Sequence, residues 1–464
     1  MGADRPINAD VPAPQAPAEP EGKPAPEPPK PRRRPATEPA EPKPKPPAPA
    51  RRPRRRSIPG AVQLIVSLVA IAIAFIVLAV VAGGGGPARR SSGETAAPVT
   101  AAPASEGSGE SQTSSQPAEE LGYPAFATNN TTRVGGSDPA SNAAAVALAV
   151  FPATTPSQRP AAVTLVGEDD WAGGIAAAVL MAAPVRAPIL ISAAEGLPDA
   201  TTEALAALDP AGAPSTGGTS IFAVGDVATP SSGNVTAVSG GAAATMAAKI
   251  AELRDRLVGS APDAVVIAPS AKPEFAMPAA GWAARSGDPV LFTGAEKLPP
   301  ATAAALKRHP DVPAYVLGPE TAISAGVVAE IAKTGAPVKR VSGKDPVTNA
   351  IAFARFHDSK FGWNINDPGH GFVLARSDAP LHAAAAAPLS ASGTWGPLLL
   401  SDDADTLPAE LRSYFLDVKP GYTNNPTRAF YNHVWVIGDQ EAIDVNEQAE
   451  VNELAELAKI GSAP

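Results

Sequence analysis

The residues able to do chemistry sit in a few short loops. Three polar loops each follow a short apolar run: Glu168-Asp169-Asp170-Trp171, Ser270-Ala271-Lys272 and Arg376-Ser377-Asp378. Glu168, Asp169 and Asp170 offer oxygen ligands to a hard cation, but the run lacks the spacing of a calcium loop, so no metal site is expected. The histidines are His309, His357, His370, His382 and His433. None forms an H-E-x-x-H or another ligand pair at helical spacing. His382 follows Asp378 by four residues, which invites acid–base work; a surface or part-buried histidine is the plainer reading. The chain has no cysteine, which removes disulfides, thiol nucleophiles and zinc-thiolate sites. It has no G-x-S-x-G elbow. The pairs Gly135-Gly136 and Gly240-Gly241 belong to no phosphate-binding motif, so they read as tight turns, and no cofactor is expected. No catalytic residue is assigned.

These loops must be positioned by the larger part of the chain. Residues 124–464 carry a net charge of −12. Three marks recur there in order, about 100 residues apart. The first is a strand and glycine turn: Arg133 to Asp138, Ala237 to Ala242, and Arg340 to Asp345. The second is a short strand with a later Leu-Pro step: PILIS at 188–192 with Leu197-Pro198, PVLFT at 289–293 with Leu298-Pro299, and PLLLS at 397–401 with Leu407-Pro408. The third is an apolar strand ending in glycine: IFAVG at 221–225, AYVLG at 314–318 and VWVIG at 434–438. Continuous apolar runs of this length are the pattern of parallel strands covered on both faces. With Ala-rich helical stretches between them, they predict right-handed βαβ units. The expected fold is α/β: three tandem Rossmann-like subdomains with parallel sheets, at 124–230, 231–336 and 337–464, in a pseudo-threefold arrangement.

What precedes them is different material. Residues 1–60 hold 19 prolines and a net charge of +6, a composition that predicts a disordered cytoplasmic tail, with a proline-binding protein as its candidate partner. Residues 61–82 are 22 residues without a charge. At ~1.5 Å per residue they reach roughly 33 Å, enough to cross a bilayer. Arg51, Arg52, Arg54, Arg55 and Arg56 lie just before them, so the positive-inside rule places the N-terminus in the cytoplasm and residues 124–464 outside. Residues 83–123, opening on Gly83 to Gly86, read as a flexible stalk. The acidic charge and scarcity of aromatics argue against nucleic-acid binding.

The order of marks resembles the cell wall-binding repeat 2 family of surface proteins. Arg133 to Ala143 and Arg340 to Ala350 are similar to the family's opening stretch, with Gly136 and Gly343 on its glycine and Asp138 and Asp345 on its aspartate. Trp171 to Leu180 looks like its loop and helix. The chain departs from the pattern in lacking the Arg-Tyr pair after Asp138 and Asp345, and in carrying Ala242 where the second segment should have the aspartate. The resemblance implies a membrane-anchored envelope protein that holds a wall polysaccharide or secondary polymer without catalysis. Under that reading Lys272 and Arg376 pair with polymer phosphate or carboxylate, Trp171 stacks on a sugar, and Arg133, Lys339 and Arg340 line a basic groove. The alternative is a protein-interaction scaffold linked to a recruiting tail. A hydrolase would need carboxylates converging in a cleft, and no motif supplies them.

Overall fold

The computed structural model describes residues 128–392 and 395–460. The expected tail at 1–60, membrane span at 61–82 and stalk at 83–123 lie outside the described residues. Among the described residues no helix is long and apolar enough to cross a membrane.

Strand and helix alternate along the chain. The first stretch runs β1 (Thr131–Val134), α1 (Pro139–Val150), β2 (Val163–Gly167), α2 (Trp171–Ala177), β3 (Ile189–Ser192), α3 (Asp199–Leu208) and β4 (Ile221–Val224). The second runs β5 (Val235–Val238), α4 (Ala243–Val258), β6 (Val265–Pro269), α5 (Pro273–Ala276), α6 (Pro278–Ser286), β7 (Val290–Thr293), α7 (Pro300–Lys307), β8 (Ala314–Leu317) and α8 (Ala325–Ala332). The third runs β9 (Val338–Val341), α9 (Pro346–Arg355), β10 (Gly371–Arg376), α10 (Pro380–Ala391), β11 (Leu398–Ser401), α11 (Ala409–Asp417), β12 (Gly421–Tyr422), β13 (His433–Ile437), α12 (Val445–Ala455) and β14 (Ala458–Lys459). The Leu-Pro steps end where expected: Pro198, Pro299 and Pro408 each sit at the N-cap of the helix that follows. There proline's fixed φ suits the entry and its missing N–H costs nothing.

Three four-stranded parallel sheets result, in the orders β3-β2-β4-β5, β7-β6-β8-β9 and β11-β10-β13-β1. Each sheet borrows its edge strand from beyond its own stretch. β5 completes the first sheet and β9 the second. The third is completed by β1, whose Thr131 lies opposite Val434. Among the described residues the first strand therefore closes a circle with the last large one. In each sheet the order of the strands reverses beside the second strand, and the loops at that strand's carboxyl end lie where α/β folds commonly place ligands.

The core lies where helices meet between sheets. α10 packs against α6, α1 and α2, and α6 packs on the 3-10 turn Ala178–Met181 that continues α2. α1 and α10 are buried on nearly every face, as expected of helices that are apolar all round. Their runs of alanine let backbones approach closely. At Gly281 of α6 even a methyl is too much: a Cβ there would fall 2.7 Å from Ser390 Oγ on α10.

Candidate functional site

The repeated opening motif turns out to be built of structural parts. Asp138 and Asp345 are N-caps, accepting from Ser141 N at 2.9 Å and Thr348 N at 2.7 Å, the ordinary use of aspartate at a helix start. Asn142 Oδ1 accepts from Gly136 N at 2.9 Å, and Asn349 Oδ1 from Gly343 N at 3.3 Å. The second segment has Ala242 at the cap and Met246 in place of the asparagine, and there the turn is packed rather than bonded: a Cβ on Gly240 would meet Met246 Cα at 3.0 Å.

The basic groove expected near Arg133, Lys339 and Arg340 does not form. Arg133 is 3% exposed. It donates to Gln448 Oε1 and Gly438 O, both at 3.0 Å, and to the carbonyls of Asp439 and Ile443. Burial lowers its pKa, against the pull of Asp439, Asp444 and Glu447. Arg340 does the same work one joint earlier, donating to Gly318 O at 2.6 Å and Ile323 O at 2.7 Å. In both cases the acceptors are the glycine that ends a strand and the isoleucine before a helix N-cap, Ser324 for α8 and Asp444 for α12. The matching position in β5 is Ala237, and no helix intervenes between β4 and β5. The arginine is present where a helix-bearing connection must be held to the sheet. Lys339 stands apart from both. Its side chain is 59% exposed and pairs with Asp358 Oδ2, which also accepts from Tyr315 OH at 2.7 Å; these two bonds, Lys339 first, hold the Asp358 carboxyl below its usual range.

The loops at the strand ends are likewise occupied. Asp170 caps α2 through Gly173 N at 2.8 Å. Trp171 is half-buried and meets Phe292 edge-on, centroids 5.6 Å apart. It joins the first and second sheets and is not an open platform. Arg376 Nη2 is 2.8 Å from Asp378 Oδ2, with its side chain largely buried. Lys272 Nζ lies 5.8 Å over the Phe275 ring and keeps part of its surface open. His382 does not meet Asp378 as an acid–base pair: its Nε2 is 3.0 Å from Asn142 Nδ2, and burial lowers its pKa. Among the described residues no cluster of three or more His, Asp or Glu side chains is arranged to hold a metal ion.

A different site assembles at the opposite, amino end of the strands. A cavity of about 550 Å³ lies between the end of α6 and the loop 356–370, within the usual size of small-molecule pockets. Trp282, Arg285, Lys360, Trp363, His370 and Trp395 line it. Trp282 is fixed: its Nε1 donates to Asp288 Oδ2 at 2.9 Å, and its ring stands 5.3 Å from that of Trp363 at 79°. Burial raises the Asp288 pKa, while bonds from Ala264 N and Trp282 favour its charge. The Arg285 guanidinium lies 5.8 Å from the centre of Trp363 and 5.3 Å from that of Trp395. The loop reaches this position through Gly362 at φ +102°, where a Cβ would strike Phe356 O. Sequence reasoning missed this site because it searched the repeated marks. The available signal was the tryptophans at 363 and 395, both in unrepeated loops of a chain that is 5% aromatic.

No family model matches the chain, and no curated protein sequence matches it. Solved structures do. The fold is shared with two cell wall proteins. Cwp6 from Clostridium difficile aligns with a TM-score of 0.55 at 20% identity, covering 70% of this chain and 47% of that one. Cwp8 from the same organism aligns with a TM-score of 0.52 at 20% identity, covering 71% and 52%. The chain thus spans about half the length of these neighbours, and at this identity the likeness is one of fold.

Proposed function

We propose that the chain is a divergent cell wall-binding repeat protein. It is anchored by residues 61–82, and its three sheets, related by a pseudo-threefold axis, sit outside the membrane and hold a wall polymer without catalysis. The observation that carries this reading is the shared fold with two cell wall proteins over about 70% of the chain, on a region where three ordered marks repeat. The surface the polymer uses is not the groove the sequence suggested, since Arg133 and Arg340 are spent on carbonyls. The test is sedimentation of the full chain with sacculi of the source organism, before and after chemical removal of secondary polymers. Binding lost on removal supports the reading, and no binding to either preparation sinks it. The scaffold reading keeps one specific support: Phe430 and Tyr431 are exposed side by side, as anchors for a protein partner would be.

A further inference from the structure

Three of the five tryptophans in the chain meet at the cavity beside α6. Trp395 leaves 52% of its surface open. Arg285 sits between it and Trp363, exposed at its own end and with no carboxylate partner among the described residues. Trp363 Nε1 is buried without a hydrogen-bond partner. Lys360 stands at the rim, 3.0 Å from Asp263 and mostly exposed. The cavity thus offers a guanidinium without a carboxylate partner and an exposed indole, while its two carboxylates are taken, Asp288 by Trp282 and Asp263 by Lys360. An apolar ligand would answer only the indole and would desolvate Arg285, which is costly. An acidic sugar answers both: its C–H face lies on the electron-rich ring, and its acidic substituent takes the guanidinium fork.

We propose that this cavity binds an acidic sugar, its ring against the exposed part of Trp395 and its carboxylate or phosphate held by Arg285. Among the described residues the arrangement occurs once, because the loop 356–370 and Trp395, which close it over α6, have no counterpart in the other two stretches. That a wall polymer supplies the sugar rests on the function proposed above; the site itself does not.

The test titrates the full chain with a galacturonate trisaccharide, glucose 6-phosphate and maltotriose, read by tryptophan fluorescence and calorimetry. At least one acidic probe should bind one to one, and maltotriose at least tenfold more weakly. Which acidic probe binds separates carboxylate from phosphate. Arg285→Gln should weaken acidic binding by about ten- to a hundredfold, and Trp395→Ala should abolish it. Both residues are exposed, and unchanged circular dichroism will show both variants folded. Equal binding of all three probes, binding of none, or an Arg285→Gln variant that binds like its parent overturns the proposal. Sacculus sedimentation of the same proteins keeps the two readings apart. Acidic sugar bound without sacculi defeats wall binding and leaves this site standing. Sacculi bound equally by parent and both variants, with no sugar bound, defeats this site and leaves wall binding standing. A protein partner lost from Trp395→Ala in the absence of sugar binding makes the cavity mouth at Trp395 a protein interface and also overturns the proposal.

Discussion

Arg133 and Gln448 stand 315 positions apart, yet Arg133 Nε donates to Gln448 Oε1 at 3.0 Å. Gln448 in turn donates from Nε2 to Thr131 Oγ1 at 3.0 Å, so β1 and α12 grip each other in both directions. Replacing Arg133 by Met would leave several buried carbonyls without a donor. The expected cost is about 3 kcal/mol or more, read as a lowered urea midpoint. Arg340→Met removes two carbonyl contacts from a less buried site and should cost less, about 1–2 kcal/mol. If instead either variant kept its midpoint and lost wall binding, the clamp account would be wrong.

The contact of Gly281 with Ser390 makes a sharper test of helix packing. Gly281→Val should cost about 1–3 kcal/mol, the usual penalty for overfilling a tight interior. Gly281→Ala should cost less, and Ser390→Ala should relieve part of that cost because it removes the Oγ lying 2.7 Å from the new methyl. A double-mutant cycle should show about 0.5 kcal/mol or more of favourable coupling. Strict additivity would mean that α6 and α10 shift apart freely.

Glu447 provides a pH signature. It is 1% exposed, and neither carboxylate oxygen has a hydrogen-bond partner. Burial pushes its pKa up to about 7 from the ordinary 4.5; the nearby Ser401 hydroxyl and Arg376 oppose the rise, and Asp444 and Asp403 add to it. The folded pKa exceeds the unfolded one, so the unfolded chain gives up its proton first. Stability is therefore lost as pH rises from 4.5 to 7, by up to about 3 kcal/mol. Burial lowers the pKa of His382 and His433, which acts in the opposite sense and removes stability as pH falls below 6.5. The difference between Glu447→Gln and its parent isolates the carboxyl. The variant should be the more stable at pH 8, and the two should converge towards pH 4.5. A variant that is less stable at pH 8 would mean that Glu447 is charged and held by Arg376.

Trp282→Phe keeps the aromatic contacts but removes the Nε1 donor to Asp288. Asp288 is buried and also accepts from Ala264 N at 2.9 Å. Losing one donor to a buried carboxylate should cost about 1.5–3 kcal/mol. Thermal unfolding of the variant with and without Asp288→Asn checks this, since the neutral amide should recover part of the loss.

Much of the fold could be read from the chain because its strands are short apolar runs bounded by proline and glycine. PILIS, PVLFT and PLLLS supply β3, β7 and β11, and the Leu-Pro steps supply three helix starts. Which sheet each opening strand joins could not be read. β5 and β9 carry the same alternation whether they pair forwards or backwards, and parallel pairing leaves no mark in local periodicity. The site residues failed for a related reason. Arg133 and Arg340 look free in a sequence, because the carbonyls that bind them carry no side-chain signature. Trp363 and Trp395 carry no repeated mark, because repetition reveals what three segments share, whereas the aromatic cavity is closed over α6 by loops that one segment adds.

The placement of β1 also sets an order of events. β1 leaves the ribosome before any of its partners, and the residues opposite it, Val434 to Ile437, follow roughly 300 residues later. At ~5–20 residues per second that is a wait of about 15–60 s. Through that interval the first and second sheets can fold, while the third lacks its edge and β1 lacks a sheet. β1, made before all of its partners, is seated only when the last of them arrives.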